Sequence, residues 1–187
     1  MFSEQKRQSV HILLFLLAFF LKYLNRWQAA VLLLILLFVT LFLIPRLKIK
    51  SFFYRQLEKK YSQGAVWYFL VLLILVLIFP LPVVAASWAI LALGDGTATI
   101  IGQNFKAKEL PWNKKKSYFG SLAFIFFGVI GAFILLKWMM PDLTNGAAFS
   151  IGLKTSLIAA VVESLPWRIN DNLTVAVTSA VVLSWLI

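Results

Sequence analysis

The sequence predicts an all-α, polytopic membrane protein of about seven transmembrane helices with a cytoplasmic N-terminus, and three observations predict it. First, 61% of the residues are hydrophobic and only seven of 187 are acidic, a balance that soluble domains of this size do not have. Second, apolar runs recur along the whole chain at lengths that approach the roughly 20 helical residues needed to cross about 30 Å of hydrocarbon. Third, most of the eighteen Lys and Arg fall in the N-terminus and the loops after the second, fourth and sixth runs. The opposite side holds only Lys22, Arg26 and Lys137, with Lys154 left inside the sixth run. Cations enriched on one side orient that side to the cytoplasm. The net charge of +11 then belongs to one membrane face, where it meets anionic headgroups or anionic soluble ligands, and nucleic acid is not the expected partner.

The expected spans are Val10–Leu24, Gln28–Ile44, Ala65–Phe79, Val83–Ile101, Gly120–Trp138, Gly146–Glu163 and Leu173–Ile187. Several are short, which tilt or local thinning accommodates. Lys6 and Arg7 before the first run imitate a signal peptide, but no small-residue cleavage site follows, so a retained helix is expected. After the second span, residues 46–60 place Ile49, Phe52, Phe53 and Leu57 near helical spacing among cations. This suits either a short helix in the membrane interface or a solvated, orientation-setting charge run. The third span is plain. The fourth carries Asp95 between Gly94 and Gly96, and an acid inside a span is a functional hypothesis by default. The two glycines let another backbone or a ligand come close.

The loop before the fifth span runs from Gly102 to Lys114, Lys115, Lys116 and Ser117, and Gly120-Ser121 then opens the helix. Free N–H groups at a helix start favour anions, and the three ammonium groups add attraction for phosphate. Ser117 reads equally as an N-cap and the lysines as topology-setting charge. Asp142, before the sixth span, fits a turn. Glu163 ends that span, and Asp171-Asn172 opens the seventh. Asp95, Glu163 and Asp171, with Asn172, are hard oxygen donors of the kind Mg²⁺ prefers, which leaves positions for water and phosphate oxygens. Each has a plainer alternative: Asp171 or Asn172 as a helix cap, Glu163 paired with Arg168 or snorkelling, Asp95 as structural. Tyr23, Trp27, Trp67 and Trp88 read as interfacial belt residues. Without cysteine and with His11 as the sole histidine, a thiol nucleophile, a disulfide framework and a His-rich metal site are excluded. No repeat or linker divides the chain, so one domain over residues 1–187 is expected.

Gly94-Asp95-Gly96, Lys116-Ser117 with Gly120-Ser121, Glu163-Ser164-Leu165 and Asp171-Asn172-Leu173-Thr174-Val175, in that order, resemble the dolichol kinase, phytol kinase and CTP-dependent diacylglycerol kinase family. The motif-bearing part covers residues 87–175, and Lys6-Arg7 followed by His11 is similar to that family's N-terminal start. Two positions depart from the pattern: Phe119 stands where an acid commonly precedes the glycine, and Lys106 where glycine often follows the phenylalanine. Partial similarity extends to phosphatidate cytidylyltransferases.

The resemblance implies an integral-membrane enzyme that phosphorylates the hydroxyl of a lipid alcohol, such as phytol, farnesol, dolichol or another polyprenol, with CTP or ATP and Mg²⁺ or another divalent cation. A CTP-dependent diacylglycerol kinase, or a cytidylyltransferase making CDP-diacylglycerol, is the alternative. Residue chemistry and resemblance together give Asp95, Glu163 and Asp171 as catalytic and metal residues. Gly94, Gly96, Lys114, Lys116, Ser117, Gly120, Ser121 and Asn172 are expected at the nucleotide phosphates, with His11 and Lys154 as further substrate contacts. Asp95 serves as metal ligand or as acceptor of the hydroxyl proton; the sequence leaves both open. The active site is expected on the cytoplasmic side.

Overall fold

The computed structural model describes residues 4–47, 52–54, 58, 60–105, 108–167 and 169–187. Nine α-helices occur among them: α1 Glu4–Leu13, α2 Phe15–Ala18, α3 Arg26–Phe38, α4 Gln63–Ile78, α5 Leu81–Ala89, α6 Gly96–Asn104, α7 Tyr118–Met139, α8 Asn145–Ser164 and α9 Asp171–Leu186. The polypeptide between these helices often stays helical. A 3₁₀ segment, Phe19–Tyr23, prolongs α2, and π and 3₁₀ turns carry α3 on to Arg46. A π-helical segment, Ile90–Asp95, joins α5 to α6 into one run, Leu81–Asn104. Each expected span falls on one of these helical runs. Four of the runs are long and apolar enough to cross a membrane: Arg26–Arg46, Leu81–Asn104, Tyr118–Met139 and Asn145–Ser164. They mark the chain as a membrane protein. Helices α4 and α9 are apolar and shorter.

Local sequence fixes the helix starts. Asn25 and Gln28 form a reciprocal capping box at α3, and Ser62, Ser117 and Thr144 each accept a backbone N–H at the starts of α4, α7 and α8. These bonds satisfy donors that have no partner within a helix. Pro80 separates α4 from α5 because a proline cannot donate to the preceding turn.

The run through α5 and α6 is central, with most of its apolar window buried, whereas the run from Arg26 faces mainly outward. Ala85, Ala86, Ala89 and Ala92 are buried in it, and α7 approaches closely: a Cβ on Gly131 would lie 3.2 Å from the Ala89 backbone carbonyl. Small residues at such contacts let helices gain dispersion energy where lipid offers no hydrophobic drive. Trp88, read from the sequence as a belt residue, is instead fully buried in this core, where its indole N–H donates to Tyr68 Oη at 2.7 Å. Tyr23 and Trp27 remain exposed, as a belt requires.

One element departs from an all-α chain. Glu109–Leu110 (β1) and Asn113–Ser117 (β2) form an antiparallel hairpin with an irregular register. The run Asn-Lys-Lys-Lys-Ser has no alternating apolar pattern, so it gave no strand signal. Its register comes from tertiary bonds: Trp112 Nε1 donates to Ser164 Oγ at 3.3 Å, and Asn113 Nδ2 donates to the carbonyls of Ser164 at 3.1 Å and Leu165 at 3.3 Å. The hairpin is thereby clasped to the C-terminus of α8. Of the expected interfacial segment 46–60, Ile49 and Leu57 lie outside the described residues, and Phe52 is exposed.

Candidate functional site

Asp95 ends the π-helical segment, a distortion that recurs at functional sites because it re-aims a side chain within an otherwise regular helix. Glu163 lies at the last turn of α8 and Asp171 at the first residue of α9. These three carboxylates, far apart in sequence, each offer an oxygen within 4.8 Å of the others. Asp95 is 6% exposed and Glu163 4%, while the Asp171 side chain is 48% exposed. The cluster therefore opens to solvent through Asp171.

Lys116, on β2, reaches into the cluster. Its ammonium pairs with Glu163 and donates to Asp171 Oδ2 at 2.9 Å. Burial works to lower the Lys116 pKa, but the negative charges of Asp95, Glu163 and Asp171 outweigh it and hold the group above the usual lysine value. Lys116 thus stays an ammonium throughout the neutral range. Glu163 takes Lys116 as partner; Arg168, the other candidate, lies outside the described residues.

Three carboxylates against one ammonium leave two formal negative charges on a set of hard oxygen donors, which matches a divalent cation such as Mg²⁺. A cation of that kind would be held by Asp95, Glu163 and Asp171. The cluster lines a polar cavity of about 810 Å³, within the size range of sites that take whole small-molecule ligands. Lys114, Lys115, Lys116, Ser117, Gly120 and Ser121 line the same cavity, as does Asn172.

The roles within this set differ from a uniform phosphate loop. Ser117 caps α7, accepting the Gly120 N–H at 3.2 Å, and also lines the cavity, so its two readings coexist. The cap of α9 is neither Asp171 nor Asn172 but Asn170, whose side chain accepts the Asn172 N–H at 3.0 Å. That leaves the Asp171 carboxylate for the cluster. The Asn172 amide donates to the Gly64 carbonyl at 2.7 Å and ties α9 to α4.

Gly94 and Gly96 admit neighbouring helices. A Cβ on Gly94 would lie 3.3 Å from the Phe124 ring, and one on Gly96 only 2.6 Å from Ile12 Cγ1. These glycines set the depth at which α7 and α1 flank Asp95, and neither lines the cavity. His11 follows from that packing. Its ring Nε2 sits 3.0 Å from the Leu91 carbonyl, to which it donates, and 3.8 Å from Asp95 Oδ2. Lys154 lies mid-way along the outward face of α8 and does not line the cavity.

The cavity residues not expected as site residues include Glu4, Arg7, Gln8 and Lys115. The signal for the first three was present. Positions 4, 7, 8 and 11 repeat at helical spacing, so one face of α1 carries Glu4, Arg7, Gln8 and His11 toward Asp95.

Fold and site together define a helical membrane protein with a charged, carboxylate-bearing cavity at one end of its helices. Comparison with known proteins gives the relationship. The chain is 32% identical to a probable phytol kinase, chloroplastic, of Triticum aestivum over 64% of its own length and 43% of that protein's. It is 35% identical to the farnesol kinase, chloroplastic, of Arabidopsis thaliana over 53% of its length and 34% of that protein's. With phytol kinase 1, chloroplastic, of Arabidopsis thaliana the identity is 31%, over 60% and 40%. The resemblance to the polyprenol-type lipid kinases thus extends from motifs to aligned sequence, and the chain spans less than half the length of these relatives. No family model matches the chain. No solved structure matches it either.

Proposed function

We propose that the chain is an integral-membrane lipid-alcohol kinase, one domain over residues 1–187, that transfers the terminal phosphoryl group of a nucleoside triphosphate to a prenyl alcohol. The observation that carries this is the Asp95–Glu163–Asp171 cluster around the Lys116 ammonium, in a polar cavity at the end of apolar helices. Such a site serves a charged donor from water and an acceptor from lipid. The names of the relatives support a prenyl alcohol as acceptor, and the family resemblance supports CTP as donor. Seven spans with a cytoplasmic N-terminus, and a site on that face, follow from the charge asymmetry.

The chemistry is a phosphoryl transfer, in which positioning and charge neutralisation supply most of the catalysis. The alcohol oxygen forms a bond to the terminal phosphorus, the bond from that phosphorus to its bridging oxygen breaks, and the nucleoside diphosphate leaves. The hydroxyl proton passes to the Asp95 carboxylate and from there to water. Lys114, Lys115 and Lys116 hold the phosphates, and Lys116 turns from its carboxylates toward the donor as charge develops on it. Asp95, Glu163 and Asp171 would hold a divalent cation, which when bound would neutralise charge on the phosphate oxygens. The start of α7, where Ser117, Gly120 and Ser121 line the cavity, adds the positive end of its helix dipole beside the same anion.

The test is purified protein in lipid with Mg²⁺, labelled CTP or ATP, and a panel of farnesol, phytol, dolichol, diacylglycerol and phosphatidate. A prenyl monophosphate carrying the terminal label is expected. A CDP-lipid formed from phosphatidate, or no transfer to any alcohol, would overturn the proposal.

A further inference from the structure

The route of the acceptor is readable from α1. Its inner face closes the polar cavity with Glu4, Arg7 and Gln8. On its other side lies a narrow cleft of about 30 Å³ between α1, α4 and the Phe52–Phe53 segment, lined chiefly by Val10, Leu14, Phe52, Phe53, Ala65 and Tyr68. Arg7 lines both spaces. His11 lines the cleft and stands 3.8 Å from Asp95. A polar chamber and an apolar slot therefore meet across one turn of helix, beside the carboxylate at the centre of the cluster.

A second, independent observation concerns Gln8. It is 2% exposed, its amide Nε2 donates to Glu4 Oε1 at 3.1 Å, and its Oε1 is buried with no hydrogen-bond partner among the described residues. Leaving a buried acceptor unsatisfied costs about 1–3 kcal/mol, so such an atom on a cavity wall is best explained by a ligand that brings a donor. The phosphate chain of the donor brings only acceptor oxygens, and the nucleoside's own hydroxyl and amino donors lie at the far end of that chain from the reacting phosphorus, whereas Gln8 stands one helical turn before His11 beside Asp95. An alcohol brings one O–H.

Resting on the kinase reading above, we propose that the α1–α4 cleft is the acceptor site: the prenyl chain lies along Val10, Leu14, Phe53 and Ala65, and its hydroxyl passes Arg7 to donate to Gln8 Oε1 beside Asp95. In a loose phosphoryl-transfer transition state the nucleophile keeps its proton until late. Gln8 orients the hydroxyl in the bound ground state, and rotation about the C–O bond then turns its single proton from Gln8 to the Asp95 carboxylate, which receives it as the new P–O bond completes. The cleft is narrow, so the chain widens it on binding, and Ala65 is the point at which bulk obstructs it.

The test combines labelling with kinetics on the full chain in lipid. A photoreactive farnesol analogue should label peptides of α1 and α4, be displaced by unlabelled farnesol, and label less in Ala65→Phe. Gln8→Leu should raise KM for the alcohol by roughly 3- to 10-fold, the worth of one hydrogen bond, and leave KM for the triphosphate unchanged. Labelling confined to the outer faces of α7 or α8, or a Gln8→Leu effect on the triphosphate KM alone, would overturn the acceptor site. Absence of transfer by the unmodified protein would overturn the kinase reading instead, and the labelling pattern would still decide the cleft.

Discussion

The two ends of the helix bundle use their cations in opposite ways. At the far end, Lys22 donates to the Trp138 carbonyl at 2.7 Å, Arg26 to the Leu77 carbonyl at 3.4 Å, and Lys137 to the carbonyls of Pro141 at 2.9 Å and Leu143 at 2.5 Å. Each occupies a backbone acceptor near the C-terminal end of α4 or α7, where helices leave carbonyls unsatisfied and the dipole favours positive charge. At the cavity end, Lys116 is held by carboxylates, and Lys114 and Lys115 line open space. Cations at the far end therefore complete the fold. Those at the cavity end are arranged around something that the fold does not itself supply.

Substitutions at the two ends should separate along that line. The largest effect is expected from Asp95→Asn, which removes charge at the centre of the cluster: transfer to a prenyl alcohol should fall at least about 100-fold, while circular dichroism shows unchanged helicity. Activity near the unmodified level would remove Asp95 from the chemistry and with it the contrast between the ends.

Lys116→Met should come next, because it leaves Glu163 buried without its ammonium partner. Loss of one member of such a pair costs about 3 kcal/mol, measurable as a lowered melting temperature, together with a loss of transfer. Adding Glu163→Gln should recover stability and not activity. If the second change recovers no stability, the two side chains are not coupled as the structure places them.

Gly96→Ala sharpens the comparison at the level of packing. Its new methyl would meet Ile12 at 2.6 Å, so α1 must shift, at a cost of about 1–3 kcal/mol, and the rise in alcohol KM should exceed any rise in triphosphate KM. The smallest effect belongs to the far end. Lys137→Met should lower stability by about 1 kcal/mol and leave kcat and both KM values unchanged; a large loss of transfer there would mean that the ends are coupled.

The candidate site was legible where chemistry alone flags a residue. Asp95 and Glu163 are conspicuous because acids are rare in apolar runs, and Lys114 to Lys116 because they cluster before a helix start. Gly94 and Gly96 were legible as points of close approach, but only packing tells that Phe124 and Ile12 are what approach. Gln8 was legible only through the helical spacing of positions 4, 7, 8 and 11, since an amide near a helix start is ordinary until its oxygen is buried without a partner. The β-hairpin was hidden because the bonds from Trp112 and Asn113 to the end of α8, not a period in the lysine run, set its register.

By itself the sequence determined that this chain is helical and suited to membrane, because transfer of apolar side chains and the need to satisfy backbone groups locally depend only on composition and length. It also determined which residues are costly to bury. Only the tertiary structure decided that three carboxylates from separate elements converge and that two of them share one ammonium, that α1 stands between a polar cavity and an apolar cleft, and that Trp88 belongs to the core. Those outcomes depend on the rotation and depth of each helix, and these are set by contacts such as Gly96 against Ile12 that exist only once the helices have packed.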